Sequence, residues 1–286
     1  CDLPFQIYDI NNDGYDEVIF ARDFKVMILD GRTGKLLRSM DTPYNDDPAD
    51  EILGIEFQKH AFDRLNVDAI RIVNVSGKEH ASDILIKDRY ARLWVYDENF
   101  NLLWKFTHNN TGHFPYAYDF NGDGKDEIFS CYNMISSDGK LQWELPIDTD
   151  HTDEIVIGKF DPDIDEELLA IVSGWEGFMI VDKHGHILAR DINGHRISVA
   201  NYCPNMRGLQ IATTTYWENQ GIIYLYDCKG HEIWHMEPSS NGNVVAPVNW
   251  KGDGTELILL NGNVKYGGML DGDGDRVVLF PDDGHP

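Results

Sequence analysis

Two nine-residue stretches, Asp9–Glu17 (D-I-N-N-D-G-Y-D-E) and Asp119–Glu127 (D-F-N-G-D-G-K-D-E), set oxygen-bearing side chains at alternating positions around a glycine. Asp9, Asn11, Asp13 and Glu17 flank Gly14, and Asp119, Asn121, Asp123 and Glu127 repeat the pattern around Gly124. Oxygen ligands on a tight turn, with glycine allowing the bend, suit a hard cation that takes six to eight oxygens, so Ca²⁺ is the expected cofactor. The last carboxylate comes at position 9 of the loop, which separates this frame from an EF-hand. Asp161, Asp163 and Asp165, followed by Glu167, form a degenerate third copy, and Asp253 with Glu256 a remnant. The alternative is an acidic β-turn that uses Asp and Gly only for their turn geometry. Asp271, Asp273 and Asp275 lie in a different hairpin and read as a turn.

A second group of residues could move protons or hold a carboxylate: His113, His151 and His195, with Arg196 beside the last. What brings such distant residues together is a repeat. Short apolar runs ending in Asp30, Asp97, Asp138, Asp182, Asp227 and Asp271 recur at spacings of 67, 41, 44, 45 and 44 residues. Turn-forming residues and a further apolar or Trp-containing run follow most of them, which reads as a hairpin. Earlier in each unit an alternating run ends at Asp9, Asn74, Asp119, Lys159, Asn201 or Asn249, and another apolar strand follows.

Four strands in about 44 residues, repeated, are the signature of a β-propeller. The expected blades span about 4–41, 68–108, 113–147, 153–191, 195–237 and 243–281. An insertion at 41–67 is expected to carry a short helix. The chain starts inside an inner strand and stops at P-D-D-G-H-P, so a fragment of a seven- or eight-bladed ring is expected, with a closed six-bladed ring as the alternative.

In such a blade the metal-type loops join the first and second strands, on the rim shared with the Asp hairpins; function is expected on the opposite rim. Six residues before each inner-strand marker stand Asp68, His113, Asp153, His195 and Asn243, with His285 at a similar place near the end and His151 two residues before Asp153. Turns on that same rim carry Arg89 and Tyr90, Trp175, the run Tyr216-Trp217-Glu218-Asn219, and Lys265. Aromatic faces with Arg and amide donors suit stacking on sugars and hydrogen-bonding to them. Arg89, Trp175, Trp217, Asn219 and Lys265 are the expected substrate contacts.

The stretches H-T-D-E-I-V-I-G-K-F-D-P (His151–Pro162), G-H-R-I-S-V-A-N-Y-C-P and V-V-A-P-V-N-W-K-G-D-G-T-E-L-I resemble bacterial rhamnogalacturonan lyases of polysaccharide lyase family 11. Those are calcium-rich eight-bladed propellers whose blades open with an H-G-D…D-I-D-P pattern. The resemblance runs from about His113 to Pro286; Thr152 stands where the family has Gly, and Lys159 where an acidic residue is usual. It implies β-elimination on a rhamnose- and uronate-containing polysaccharide, with Ca²⁺ loops as structural staples. His195 or His113 is the expected base, Tyr216 the acid and Arg196 the carboxylate clamp. Alternatives are a glycoside hydrolase on the same scaffold, with Asp68 and Asp153 as its carboxylates, and a non-catalytic calcium-dependent carbohydrate or adhesion module.

Of 286 residues, 49 are acidic and 24 basic, a net charge of −25, which argues against a nucleic-acid partner and requires local positive charge to hold an acidic polymer. Hydrophobic residues at 42% and aromatics at 12% are ample for a packed core. No apolar run is long enough for a membrane-spanning helix. The four cysteines contain no C-x-x-C. A monomer is expected, secreted or periplasmic, with the cytoplasm as the alternative.

Overall fold

The computed structural model describes residues 4–45, 62–192, 194–215, 221–237, 245–260 and 267–281. Among these residues there are strands and turns and no helix. The chain divides into two compact units, Cys1–His151 and Thr152–Pro286.

In the first unit, one sheet holds β1 (Phe5–Tyr8), β2 (Glu17–Arg22), β3 (Lys25–Asp30) and β4 (Leu36–Asp41). A second holds β5 (Ala69–Val73), β6 (Asp83–Lys87), β7 (Arg92–Tyr96) and β8 (Leu102–Thr107), and a third β9 (Tyr116–Tyr118), β10 (Glu127–Ser130), β11 (Asn133–Ile135) and β12 (Leu141–Glu144). The second unit repeats the plan with β13 (Glu154–Gly158), β14 (Leu168–Ser173), β15 (Gly177–Asp182) and β16 (Ile187–Asp191). Then come β17 (Arg196–Ala200), β18 (Gln210–Thr214), β19 (Ile223–Tyr226) and β20 (Glu232–Met236), and finally β21 (Val245–Val248), β22 (Leu257–Leu260), β23 (Gly268–Leu270) and β24 (Arg276–Leu279). Six four-stranded antiparallel meanders are the blades of a β-propeller fragment.

Side-chain alternation explains why the middle strands read as unbroken apolar runs. Ile84 and Ile86 of β6 pack in one core with Ile19 and Ile28, while Leu85 between them enters another with Ile128 and Ile135. Likewise Tyr224 and Tyr226 of β19 face Phe178 and Ile180, and Ile223 and Leu225 face Ile258 and Leu270. A strand buried on both faces needs hydrophobes at consecutive positions. The outermost strands have one wet face, and β4 is exposed along most of its length.

Each third-to-fourth hairpin has a register shift, at Ile28/Leu29, Val95/Tyr96, Met134/Ile135, Ile180/Val181, Leu225/Tyr226 and Met269/Leu270. The hairpin Asp accounts for the turn beside it. Asp182 Oδ1 accepts the N–H groups of His184 and His186 at 2.9 and 2.8 Å, and Asp97, Asp227 and Asp271 accept the equivalent pairs. In the third blade the equivalent residue is Ser136, whose N–H bonds Lys140 O and whose Oγ accepts the Lys140 N–H, so Asp138 stands two residues past the position read from the repeat. A hydroxyl does the carboxylate's work there.

At the base of the insertion Tyr44 and Arg64 form a β-bridge, flanked by hydrogen bonds from Asn45 N–H to Asp63 O and from Leu65 N–H to Pro43 O. The helix expected within it falls outside the described residues.

Candidate functional site

The loops Asp9–Glu17 and Asp119–Glu127 share one hydrogen-bond plan. Asp9 accepts the N–H groups of Asp13 (3.0 Å) and Gly14 (2.8 Å); Asp119 accepts those of Gly122, Asp123 and Gly124 at 2.8–3.1 Å. Gly14 and Gly124 have φ of 89° and 84°, the left-handed conformation that glycine adopts without strain. Glu17, 2% exposed, accepts Ile10 N–H and Asn11 Nδ2–H, and Glu127 accepts Phe120 N–H and Asn121 Nδ2–H in the same way. Burial, joined by the charges of Asp13 and Asp9, pushes the Glu17 carboxyl above its ordinary range despite the bond from Ile10. Burial and the charges of Asp123 and Asp119 do the same to Glu127. Among the described residues, no Lys or Arg pairs with the acidic groups of either loop. An all-oxygen donor set whose carboxylates repel one another fits a hard cation.

Other blades solve the same problem with cations of the chain itself. In the second, Lys78 Nζ donates to Ser82 Oγ (2.9 Å), to Asp83 Oδ1 (3.2 Å) and to Glu98. In the fourth, Asp163 pairs with Arg207 at 2.6 Å and Lys229 at 2.8 Å, and Lys159 reaches Asp165 at 3.1 Å. These pairs set positive charge beside Asp163 and Asp165, two of the three expected ligands of this loop; Asp161 Oδ1 accepts Asp163 N–H within it.

On the opposite rim of the first unit, the turn between β6 and β7 meets the segment that leads into β9. The Tyr90 ring lies 5.3 Å from that of His113 and 4.8 Å from that of His151. The two imidazoles meet edge to face, with their Nε2 atoms 3.1 Å apart, so one proton serves both nitrogens. Asp150 Oδ1 is 3.0 Å from His151 Nδ1. Arg89 Nε donates to Tyr90 Oη at 3.0 Å, which sets a positive charge beside the phenol oxygen.

Lys87 holds this assembly. Fully buried at the end of β6, its ammonium donates to the carbonyls of Arg89 (2.7 Å), Gly112 (2.8 Å) and Asp88, so it ties the Tyr90 turn to the residue before His113. Burial lowers its pKa to about 8. Thr111 N–H adds a bond to Tyr90 O at 2.7 Å. Arg92, also buried, is held by Asp88 at 2.7 Å, and Asp88 in turn caps the Ala91 and Arg92 N–H groups.

In the second unit Asp153 occupies the corresponding place before β13. Its Oδ2 accepts Gly174 N–H at 2.9 Å and its Oδ1 lies 3.5 Å from His195 Nε2. His195 is only 7% exposed, with Asp153 packed against it. Arg196 opens β17 beside it, its Nη1 at 3.5 Å from His195 O. Trp175, in the turn after Gly174, is 60% exposed.

From sequence Tyr90 was named only as a residue of a rim turn, and Lys87 and Asp150 were not singled out. The readable signal was Lys87, a charged residue closing an otherwise apolar strand, D-I-L-I-K. Tyr216, Trp217, Asn219, Asn243, Lys265 and His285 lie outside the described residues.

No protein-family model and no curated protein matches the sequence. Solved structures do match. The exotype rhamnogalacturonan lyase YesX aligns over 90% of this chain and 49% of its own with a TM-score of 0.68 at 21% identity. The Bacillus licheniformis rhamnogalacturonan lyase of family PL11 aligns over 90% and 50% with a TM-score of 0.66 at 22% identity. BamB from Moraxella catarrhalis aligns over 96% and 75% with a TM-score of 0.62 at 10% identity. The scaffold is thus that of the lyases and of BamB alike, and the chain spans about half the length of the lyases it resembles. At these identities the likeness is one of fold.

Proposed function

We propose that this chain is the propeller of a calcium-binding polysaccharide lyase that cleaves a rhamnogalacturonan-like polymer by β-elimination. The observation that carries this reading is the Tyr90–His113–His151 cluster with Arg89 beside it, on the rim opposite the acidic loops. In the reaction a base removes the proton at C5 of a uronate, the C4–O4 bond breaks, a C4–C5 double bond forms, and O4 leaves with a proton.

His113, sharing a proton with His151 and oriented through Asp150, is the base of choice; His195 is less accessible behind Asp153. Tyr216 is the proposed proton donor to O4. Arg89 and Arg196 are the proposed carboxylate clamps, which lower the cost of charge developing at C5. Trp175, Trp217, Asn219 and Lys265 are proposed to hold flanking sugars. Ca²⁺ in the loops of the first and third blades would neutralise their carboxylates and fix the turn; it belongs to the scaffold, on the other rim.

The partner is therefore an acidic polysaccharide or oligosaccharide. A second reading, a carbohydrate-binding module without catalysis, is favoured by the burial of His195 and the exposed Trp175. Product analysis after incubation with rhamnogalacturonan separates the two. Lyase action leaves a new sugar end carrying the double bond, hydrolysis leaves reducing ends without unsaturation, and a binding module leaves the polymer intact. Either of the last two outcomes overturns the proposal.

A further inference from the structure

A cavity of about 500 Å³ lies in the first unit, between the chain leaving β8 and the outer part of the third blade. It shares no lining residue with the Tyr90–His113–His151 cluster. Its volume falls within the range of small-molecule sites. One wall is His108, whose ring stacks on buried Phe106 with centroids 6.0 Å apart and planes 10° apart. Its Nε2 lies 3.0 Å from Glu144 Oε2, across the cavity mouth from the end of β12.

Behind them Asn133 is 2% exposed. Its Nδ2 donates to Asn110 O (2.8 Å) and Ser130 O (3.1 Å), which fixes the orientation of the amide, and its Oδ1 has no hydrogen-bond partner. A buried acceptor without a donor is costly unless something supplies one. Leu145 and Pro146 complete the lining with an apolar surface.

We propose that this cavity is a binding site for one neutral sugar residue, separate from the elimination chemistry. His108 donates Nε2–H to Glu144 while its Nδ1 accepts the Asn110 N–H at 3.3 Å, so the imidazole orients the carboxylate, whose remaining acceptor sites take the hydroxyls of the sugar. The apolar face of a pyranose packs on Pro146 and Leu145, and a hydroxyl directed inward supplies the donor that Asn133 lacks. An acidic sugar is disfavoured: Glu144 and Asp148 both line the cavity, and His108 is the one lining residue that can carry positive charge.

Saturation-transfer NMR and titration calorimetry on the whole chain test this with methyl α-L-rhamnopyranoside and methyl α-D-galactopyranoside, and with galacturonic acid as the acidic comparison. The expected result is millimolar binding of a neutral glycoside. It should weaken about tenfold in Glu144→Gln and in His108→Phe, which removes the ring nitrogens and keeps the stack on Phe106. Glu144 is exposed, so its variant folds whatever its role. Absence of binding by both neutral glycosides, unchanged binding in both variants, or tighter binding of galacturonic acid overturns the inference. Because binding is read without turnover, failure here is distinguishable from failure of the lyase reading.

Discussion

Lys87 is the residue on which the shape of the imidazole cluster rests. Its ammonium serves three carbonyls in a dry environment, so Lys87→Met leaves buried acceptors unsatisfied and should cost about 3 kcal/mol in denaturant unfolding. The depressed pKa also has a sign. Between about 8 and the ordinary lysine value the unfolded chain holds a proton that the folded one has released, so this group makes stability rise with pH across that window and adds nothing to the slope below it. Comparing the pH slopes of the wild type and Lys87→Met isolates this contribution; equal slopes would contradict the burial argument. Lys87 illustrates what the sequence withholds. A lysine at the end of an apolar strand is visible, but one of the carbonyls it binds, that of Gly112, comes 25 residues later in the chain.

At the scale of the element, the first-to-second strand loops fall into two classes with different responses. Asp119→Ala removes three backbone hydrogen bonds and a proposed ligand, so it should lower stability and abolish any rise in melting temperature that the proposed Ca²⁺ site of the third blade gives. A site filled at one hundred times its dissociation constant contributes about 2.7 kcal/mol. Lys78→Met, by contrast, should destabilise by about 1–3 kcal/mol with or without Ca²⁺, because Asp83 then loses its cation. Thermal unfolding with Ca²⁺ and with chelator measures both.

The strand plan of these blades was legible because apolar runs, Asp hairpins and Gly turns recur at one period. The fate of each loop was not: Arg207 and Lys229 reach Asp163 from other loops, and Lys78 joins Asp83 to the distant Glu98. The third blade hid its register for a related reason: Ser136 does locally what Asp does elsewhere, and the nearby Asp138 drew the alignment two residues off.

Across the whole chain, a net charge of −25 makes stability a function of cations and pH. Glu17 and Glu127 titrate above their ordinary range, so in chelator the stabilisation they give is present at low pH and is lost as pH rises through their raised pKa values. Bound Ca²⁺ requires the ionised form and should flatten or reverse that slope, with proton release on binding in mildly acidic buffer. A calorimetric heat of binding that does not vary with the ionisation enthalpy of the buffer would contradict this. The rim chemistry was legible in part: His113 and His151 were named from their place before the inner strands, whereas Tyr90 joins them through ring packing that no spacing rule encodes.

The most direct test follows the ultraviolet absorbance of the C4–C5 double bond as the chain acts on rhamnogalacturonan, in the wild type, His113→Ala and, in the hairpin after β23, Asp271→Ala. The expected result is a steady rise for the wild type and Asp271→Ala, and a rate lower by about 10²–10⁴ for His113→Ala. No rise with the wild type, or equal rates for the wild type and His113→Ala, would contradict the assignment of this rim as a β-elimination site.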